Sequence, residues 1–445
     1  MTDTIYALAS ARGTSGVAVI RVSGTHAFDS LRALTNLTDI PYRTAILKTL
    51  RDNVSRETLD SALILAFNTP HSYTGENVVE YHLHGGIAVI NGVMNALSKL
   101  EHHRMADAGE FTRRAFENGK MDLTEAEAIA DLIHAETELQ KAQALNQMGG
   151  ALADIYDDWR IKLTKILAYV EAELEFPDED LPDDLIKRIT PQITDLSNAI
   201  NEHLNDNRRG ERLRNGIHVA IIGAPNAGKS SLVNALTRRD IAIVSDIAGT
   251  TRDVIEAHLD IGGYPIILSD TAGLRPDQIG EEGSDSIESE GIRRALKIAK
   301  NADIRVILYD GGEKTPDKHS LALEKHANTI PVINKVDQGV NINHPANPLQ
   351  ISVSKNQGIT EFLSALTTMI DSLVGRSAAP AISRARHREA LTSCDKSLQR
   401  CLTAPLPELT AEDLRLSIRD LGRITGRVDV EDLLDVVFRD FCIGK

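Results

Sequence analysis

Apolar residues fall into three regimes along this chain. In residues 1–119 they come as short runs between turn residues: Val17-Ala-Val-Ile-Arg-Val22, Ser61-Ala-Leu-Ile-Leu-Ala-Phe67 and Val78-Val-Glu-Tyr-His-Leu83. Short runs with this composition predict strands, and the region reads as an α/β or α+β domain. From about residue 120 the spacing changes to three and four: Leu145, Met148, Leu152, Ile155, Trp159, Leu163, Ile166, Val170 and Leu174. That stripe predicts one long amphipathic helix stopped near Pro177, with Met148 and Trp159 in its core. Phe176-Pro-Asp-Glu-Asp-Leu-Pro-Asp-Asp184 is acidic and broken by proline, a solvated connector. A further helical stretch covers about 185–209, and the tail at about 383–440 is helical again. Between them the strand-like runs return: Ile217-His-Val-Ala-Ile-Ile222, Ile266-Ile-Leu268 and Ile330-Pro-Val-Ile333. Helical pattern on both sides predicts a helical domain (120–215 and 378–445) into which a module at 216–377 is inserted.

Composition narrows the setting. At 445 residues the chain exceeds a single core, so two or three domains are expected. A net charge of −15 excludes a dominant basic face, so contact with nucleic acid needs a local patch or a partner's surface. Three cysteines, Cys394, Cys401 and Cys442, cannot all pair within the chain. Together with a start that lacks a basic signal-peptide region, they predict a reducing, cytoplasmic setting. No apolar run approaches the length of a membrane span.

Candidate chemistry is concentrated in the inserted module. Gly223-Ala-Pro-Asn-Ala-Gly-Lys-Ser230 follows a strand-like run and leads into Ser231-Leu-Val-Asn-Ala-Leu236, a predicted helix. This is the strand–loop–helix setting of the phosphate-binding loop. Backbone N–H groups from Asn226, Ala227, Gly228, Lys229, Ser230 and Ser231 would close on phosphate oxygens, Lys229 would reach the β/γ-phosphates, and Ser230 would hold Mg²⁺. Asp270-Thr-Ala-Gly273 ends a second run, with Asp270 placed to hold Mg²⁺ through water and Gly273 to meet a γ-phosphate; Thr271 and Ala272 lie between them. Asn334-Lys-Val-Asp337 suits guanine, because the Asp337 carboxylate accepts from the base's N1–H and 2-amino edge. Lys335 belongs to the same element, and Ser352-Val-Ser354 would cover the base, with Val353 between the serines. These elements in this order predict a GTPase domain with an open, mostly parallel sheet. Leu274 stands where Ras-like enzymes carry a water-orienting glutamine, so another group must do that work. Ser245-Asp-Ile-Ala-Gly-Thr-Thr-Arg-Asp253 supplies Thr250 and Thr251, the second of which would complete the Mg²⁺ shell; Asp246, Ile247, Ala248 and Gly249 belong to the same nucleotide-contacting loop. Asn226 is an uncharged oxygen donor beside the phosphates, suited either to a monovalent cation or to stabilising its own loop.

Two N-terminal segments are rich in polar side chains: Ser72-Tyr-Thr-Gly-Glu-Asn-Val-Val-Glu-Tyr-His-Leu-His-Gly-Gly86 and Gly109-Glu-Phe-Thr-Arg-Arg-Ala-Phe-Glu-Asn-Gly-Lys120. His82 and His84 would share a strand face, but no third metal ligand is apparent. With these segments, the inserted GTPase module, its GTTRD loop and the terminal Cys442-Ile-Gly-Lys445, the chain resembles the MnmE (TrmE) family of tRNA-modification GTPases, among the TrmE-Era-EngA-like GTPases. The resemblance spans essentially the whole length.

It implies a multidomain α/β protein: an N-terminal α+β domain (1–119) that binds 5-formyltetrahydrofolate and dimerises, an all-helical central domain, and an inserted Ras-like GTPase domain. It implies GTP, Mg²⁺ and K⁺ as ligands, hydrolysis activated by K⁺ as GTPase domains pair, and a homodimer. With the flavoprotein MnmG in a heterotetramer, the family installs an aminomethyl-type (carboxymethylaminomethyl) group on carbon 5 of the wobble uridine of certain tRNAs. Carried over residue by residue, the K⁺ ligands are the Asn226 side chain and carbonyls of Ser245, Ile247 and Thr250. The Mg²⁺ ligands are Ser230 and Thr251. The folate contacts are Arg21, Glu80, Lys120 and Lys445. The water-orienting glutamate matches Glu288, although a longer linker between Pro276 and Asp285 makes Glu281, Glu282 and Glu290 competitors. Cys442 is a candidate reactive thiol near the folate. A ribosome-assembly GTPase that binds RNA is the alternative, opposed by the lack of a basic C-terminal RNA module; a folate-dependent one-carbon transferase regulated by GTP is a third reading.

Overall fold

The computed structural model describes residues 3–175, 185–239, 241, 243, 256–270, 298–375, 380–428, 431–439, 441 and 443–444. It comprises two compact units: residues 1–130, 147–190 and 397–445 form one, and residues 131–146 and 191–396 form the other.

The first unit begins with β1 (Thr4–Leu8), β2 (Ser15–Ser23), α1 (Ala27–Thr35), β3 (Ile46–Arg51), β4 (Thr58–Phe67), β5 (Val78–Gly85), α2 (Ile87–Ser98), β6 (His103–Met105) and α3 (Glu110–Glu117). Its six-stranded sheet has the order β3-β4-β5-β2-β1-β6, antiparallel except for the β1–β6 pair. Alternation along β2 and β5 decides what faces the core. Ala18, Ile20 and Val22, with Val79, Tyr81 and Leu83, pack under Leu31 and Leu34 of α1 and Val93 and Leu97 of α2. Val19 and Arg21, with Glu80, His82 and His84, therefore point to the opposite face.

Helices follow: α4 (Leu123–Ile133), α5 (Glu138–Met148), α6 (Ala151–Glu175), α7 (Leu185–Leu204) and α8 (Arg209–Asn215). α4 starts on a reciprocal cap: Asp122 Oδ1 accepts from the Thr124 and Glu125 N–H groups, and Glu125 Oε2 accepts from Asp122 N–H. The single long helix expected from residue 145 onward is two helices. Gly150 sits at φ 84 between them, a left-handed position that ends α5 although the apolar spacing continues through it. Met148 is 38% exposed while Trp159 is buried, so only the tryptophan takes the expected core place.

The second unit continues with β7 (Ile217–Ile222), α9 (Lys229–Thr237), β8 (Glu256–Ile261), β9 (Tyr264–Asp270), β10 (Ile304–Asp310), α10 (Lys318–Leu323), β11 (Thr329–Asn334), β12 (Leu349–Gln350) and α11 (Ile359–Val374). Its sheet runs β12-β11-β10-β7-β9-β8, parallel except for the β8–β9 hairpin. Apolar residues bury both faces: Val219, Ile221, Val306 and Leu308 lie among Leu232, Phe362 and Leu366, while Ala220, Ile222, Ile307 and Tyr309 meet Ala299 and Ala302. The chain closes with α12 (Ala385–Cys401), α13 (Pro407–Thr425) and α14 (Glu431–Arg439).

Long-range ties join distant parts of the sequence within each unit. α6 packs along α13, with Glu171 paired to Arg415 and Asp157 to Arg427. Ser197 of α7 donates to Asp395 of α12 at 2.5 Å, and Asn201 Nδ2 donates to the same carboxylate oxygen. Phe438 and Phe441 pack on Leu123 and Ala126, and Ile443 bridges to Ala108. Cys394 and Cys401 are buried and unbridged, and burial pushes the Cys401 thiol up to about 12. Among the described residues, no helix is long and apolar enough to cross a membrane.

Arg114 is the largest fully buried side chain of the first unit, at 1% exposure. Its guanidinium meets Glu110, Glu76 and both the carboxylate and the carbonyl of Asp3, and Arg104 closes the cluster against Asp3 and Glu110. Burial alone would raise the Asp3 and Glu110 carboxyls, but their arginine partners hold both below the usual carboxylate range. The stability these carboxylates supply is therefore present above their unfolded-state values and is lost as pH falls through the lowered native ones. Replacing Arg114 by methionine takes one guanidinium from three acids and leaves Arg104 to Asp3 and Glu110, and we expect a loss of about 3–5 kcal/mol with a flatter acid limb. Urea unfolding between pH 7 and pH 3, followed by the fluorescence of the single tryptophan, Trp159, measures both; wild-type stability in Arg114→Met contradicts the expectation.

Candidate functional site

Strand β7 lies in the centre of its sheet and is followed at once by Gly223. A Cβ there would lie 2.2 Å from the Leu308 carbonyl oxygen, so only glycine lets the chain turn off the sheet at this point. Asn226 at φ 64 and Gly228 at φ 97 then curl residues 223–228 into a loop that ends at the first turn of α9. Lys229 folds back over this loop, its Nζ donating to the carbonyls of Gly223 and Ala224 at 2.8 and 2.9 Å. Ser230 and Ser231 are exposed in the same helical turn, and Ala227 is buried beneath it. The arrangement offers backbone N–H groups, a helix N-terminus and one ammonium group at one point, which is the chemistry an anion requires.

Asn334, at the end of β11, carries this loop into register with the next. Its Nδ2 donates to the Ala227 carbonyl at 2.9 Å, and its Oδ1 accepts from Val353 N–H at 3.2 Å. A Cβ at Gly228 would fall 2.2 Å from that Nδ2, so the second glycine is required by the asparagine as well as by its backbone angle. Lys335 follows at φ 64 and pairs with Asp310 at 2.6 Å. Burial opposes ionisation of Asp310, but Lys335 and the Gly312 N–H bring its carboxyl below the usual range. Asp337 accepts from Ser352 Oγ at 2.6 Å and Ser354 Oγ at 3.2 Å, and the Ser352 bond foremost holds its carboxyl low. An ionised acceptor thus stands in front of two hydroxyls, the group a guanine N1–H and amine edge would meet.

The structure brings together Asn226 to Ser231 with Asn334, Lys335, Asp337 and Ser352 to Ser354. Asp270 ends β9 in register with Ile221 of β7, which sets its backbone beside the start of the phosphate loop. Ser245, Asp246, Ile247, Ala248, Gly249, Thr250, Thr251, Thr271, Ala272, Gly273, Glu288, Cys442 and Lys445 lie outside the described residues. Asp310, which orients Lys335, was missed in the sequence; an aspartate ending an apolar run before Gly311-Gly312 was the available signal.

A second polar set lies on the outward face of the N-terminal sheet. Arg21 and Glu80 are cross-strand partners, and Arg21 Nε donates to Glu80 Oε1 at 3.0 Å. The guanidinium stands 5.0 Å from the Tyr73 ring centre and 5.7 Å from that of Phe111. Tyr73 is fixed by its hydroxyl against Thr112 at 2.8 Å, and burial raises its pKa. His82 Nε2 lies 3.7 Å from the other Glu80 oxygen. Lys120 donates to the Pro70 carbonyl at 3.1 Å, on the loop that carries Tyr73. Gly444, the residue before Lys445, lies against β1: a Cβ there would be 2.1 Å from the Leu8 carbonyl oxygen. A carboxylate paired to an arginine that stands against two aromatic rings suits a flat ring with N–H donors, and Tyr73 and Phe111 escaped the sequence reading because only the fold sets them beside Arg21. His84 is bonded to Asp60 at 2.7 Å, and among the described residues no three His, Cys, Asp or Glu side chains converge as metal ligands.

Comparison with known proteins covers the whole chain. Residues 4–120 match the family model described as the GTP-binding protein TrmE N-terminus, and residues 123–442 match the MnmE helical domain. The chain is 53% identical over 447 residues to a protein of Parvibaculum lavamentivorans named tRNA modification GTPase MnmE, covering all of both. Proteins of the same name from Maricaulis maris and Rickettsia bellii are 47% and 45% identical over 450 and 457 residues, again covering all of both chains.

Asn334→Ala leaves the buried Ala227 carbonyl and the Val353 N–H without this partner, and a destabilisation of about 1–3 kcal/mol is expected. Hydrogen exchange reads it residue by residue. A Val353 amide that exchanges as slowly as in wild type would show that the tie is dispensable.

Proposed function

The chain belongs to the MnmE family of tRNA modification GTPases, and from that premise we propose that it couples GTP hydrolysis to adding an aminomethyl-type (carboxymethylaminomethyl) group at carbon 5 of wobble uridine in certain tRNAs. The observation that carries the nucleotide half of this reading is the Asn334 amide, which holds the phosphate loop and the Asp337–Ser352 pair in one constellation. In this reading the N–H groups of residues 226–231 bind phosphate oxygens and Lys229 leaves its loop carbonyls for the β/γ-phosphates. Asp337 accepts from the guanine edge, and adenine is refused because it would leave that carboxylate unpaired.

Ser230 and Thr251 would hold Mg²⁺, with Asp270 behind it. The exposed Asn226 amide, with carbonyls of Ser245, Ile247 and Thr250, would hold K⁺. Oxygen donors without a thiolate or imidazole among them fit both hard cations. When bound, these ions neutralise charge that develops on the phosphates. Glu288 orients the attacking water, the work that Leu274 cannot do. Hydrolysis drives a conformational change rather than the carbon chemistry, with GTPase domains pairing across the nucleotide.

The Arg21–Glu80 pair under Tyr73 and Phe111 supports a folate such as 5-formyltetrahydrofolate on the N-terminal sheet. Glu80 would accept from the pterin's N–H edge, and Lys120 and Lys445 would meet its glutamate tail. Arg21, already committed to Glu80, orients that carboxylate. Cys442 would lie near this ligand. The working form is a cytoplasmic homodimer that joins the flavoprotein MnmG in a heterotetramer and shares the tRNA with it, in keeping with a net charge of −15.

Nucleoside mass spectrometry of bulk tRNA tests the reading in cells that lack this gene. The modified wobble uridine should vanish, return with the wild-type gene, and stay absent with Lys229→Ala. Unchanged nucleosides after deletion would overturn it. In the purified protein, Glu288→Ala should slow GTP hydrolysis by about tenfold or more while nucleotide affinity is kept; wild-type turnover would transfer the role to another residue.

A further inference from the structure

The β8–β9 hairpin occupies a special place in the GTPase unit. The GTTRD segment ends just before β8, and β9 ends on Asp270 of the Asp-Thr-Ala-Gly segment. The two loops that respond to the γ-phosphate in enzymes of this chemistry are thus continuous with the two ends of one hairpin. The connection on the β8 side is direct. Ile243 N–H donates to the His258 carbonyl at 2.9 Å and Asp260 N–H to the Ile241 carbonyl at 2.7 Å, so His258 is bonded to the residue two before Ser245.

The same hairpin holds a piece of the helical region. His258 Nδ1 lies 3.0 Å from Glu136 Oε2. Gly263, in the hairpin turn at φ 89, sits under Leu139 so closely that a Cβ would approach its Cγ to 3.3 Å. Leu139 in turn packs on the core formed by Leu259, Ile261 and Tyr264. Residues 131–146 belong to the GTPase unit, although the residues on either side of them belong to the other. Glu136 is not loose within that segment: Gln140 Oε1 accepts from the Glu136 and Thr137 N–H groups at 2.9 and 3.1 Å. The segment is also tied to α8, just before the nucleotide strand β7. Gln140 and Gln143 donate to the carbonyls of Arg214 and Gly210, and Asp131 accepts from Arg214 and Arg384.

We propose that the His258–Glu136 bond, with Leu139 seated on Gly263, passes the nucleotide state of the GTPase site to helical residues 131–146. A shift of the hairpin by the length of one hydrogen bond breaks or remakes the contact, because the pair is partly exposed and water can replace either partner. The segment then has two arrangements, which coupling between distant sites requires. The inference rests on the family's GTPase activity and on none of the proposed ligands of the N-terminal sheet.

The test uses the full-length protein, wild type and with Glu136→Ala, His258→Ala or Glu136→Gln. Hydrogen exchange over residues 131–146 is measured with GDP and with a non-hydrolysable GTP analogue, beside KM and kcat for GTP. The wild-type segment should exchange differently in the two nucleotide states. Both alanine variants should lose that difference while KM and kcat stay within about twofold, and tRNA modification should fall by roughly tenfold in complemented cells. Glu136→Gln keeps an acceptor and should retain most of the response. The proposal is overturned if the wild-type segment ignores the nucleotide, or if the alanine variants respond like wild type. It is equally overturned if their KM or kcat worsens in step with modification, because the pair would then only support the GTPase fold.

Discussion

The GTPase unit depends on one buried carboxamide. Asn334 has two polar ends and uses both, Nδ2 on the Ala227 carbonyl and Oδ1 on the Val353 N–H. A carboxylate could not donate to Ala227, a shorter hydroxyl could not span the gap, and an apolar side chain would strand both backbone groups. Other features of the site follow from this bond. Gly228 has no side chain because the amide occupies that space. Lys335 turns left-handed beyond the asparagine and reaches Asp310, while Asp337 faces the serines of the neighbouring loop. The 223–228 loop and the Asp337–Ser352 pair are therefore tied through one side chain, and distortion of either loop is felt by the other.

The N-terminal unit solves a related problem with charge. Its sheet buries one face under two helices, and the other carries Arg21, Glu80, His82 and His84. Beside that sheet a fully buried arginine gathers three carboxylates and a main-chain carbonyl. Desolvating so many charges gives little net stability, but geometry is specified strictly, since every partner must be in place at once. The Tyr73 and Glu76 loop and α3 are fixed by this cluster, and with them the aromatic surroundings of Arg21.

Much of this architecture was legible in sequence where its cause is local. Glycines, lysine and serine in eight consecutive residues declare the phosphate loop, and period-two alternation places Arg21 and Glu80 on an outward face before any register is known. What was not legible depends on residues distant in sequence. The break between α5 and α6 escaped because Leu145, Met148 and Leu152 keep helical spacing across Gly150, whose backbone angle the spacing does not encode. Arg114 is charged, and composition alone assigns such a residue to the surface. Tyr73 beside Arg21, Asp310 beneath Lys335 and Glu136 against His258 are meetings of separate segments, visible only once the sheets are assembled.

The bond between Ser197 and Asp395 has a consequence for how the chain assembles. It joins residues 198 apart, and the first unit has to recruit α13 to α6 across that same stretch. If the intervening residues were unfolded, pairing those helices would require closing a very long random loop. Once the GTPase unit has folded, the carboxylate of Asp395 holds both stalks of the excursion together, and the effective loop shrinks to the connections 176–196 and 396–406. On logarithmic loop-closure scaling the saving is roughly 2 kcal/mol. Compaction of the intervening residues thus favours, by that margin, the later pairing of α6 with α13.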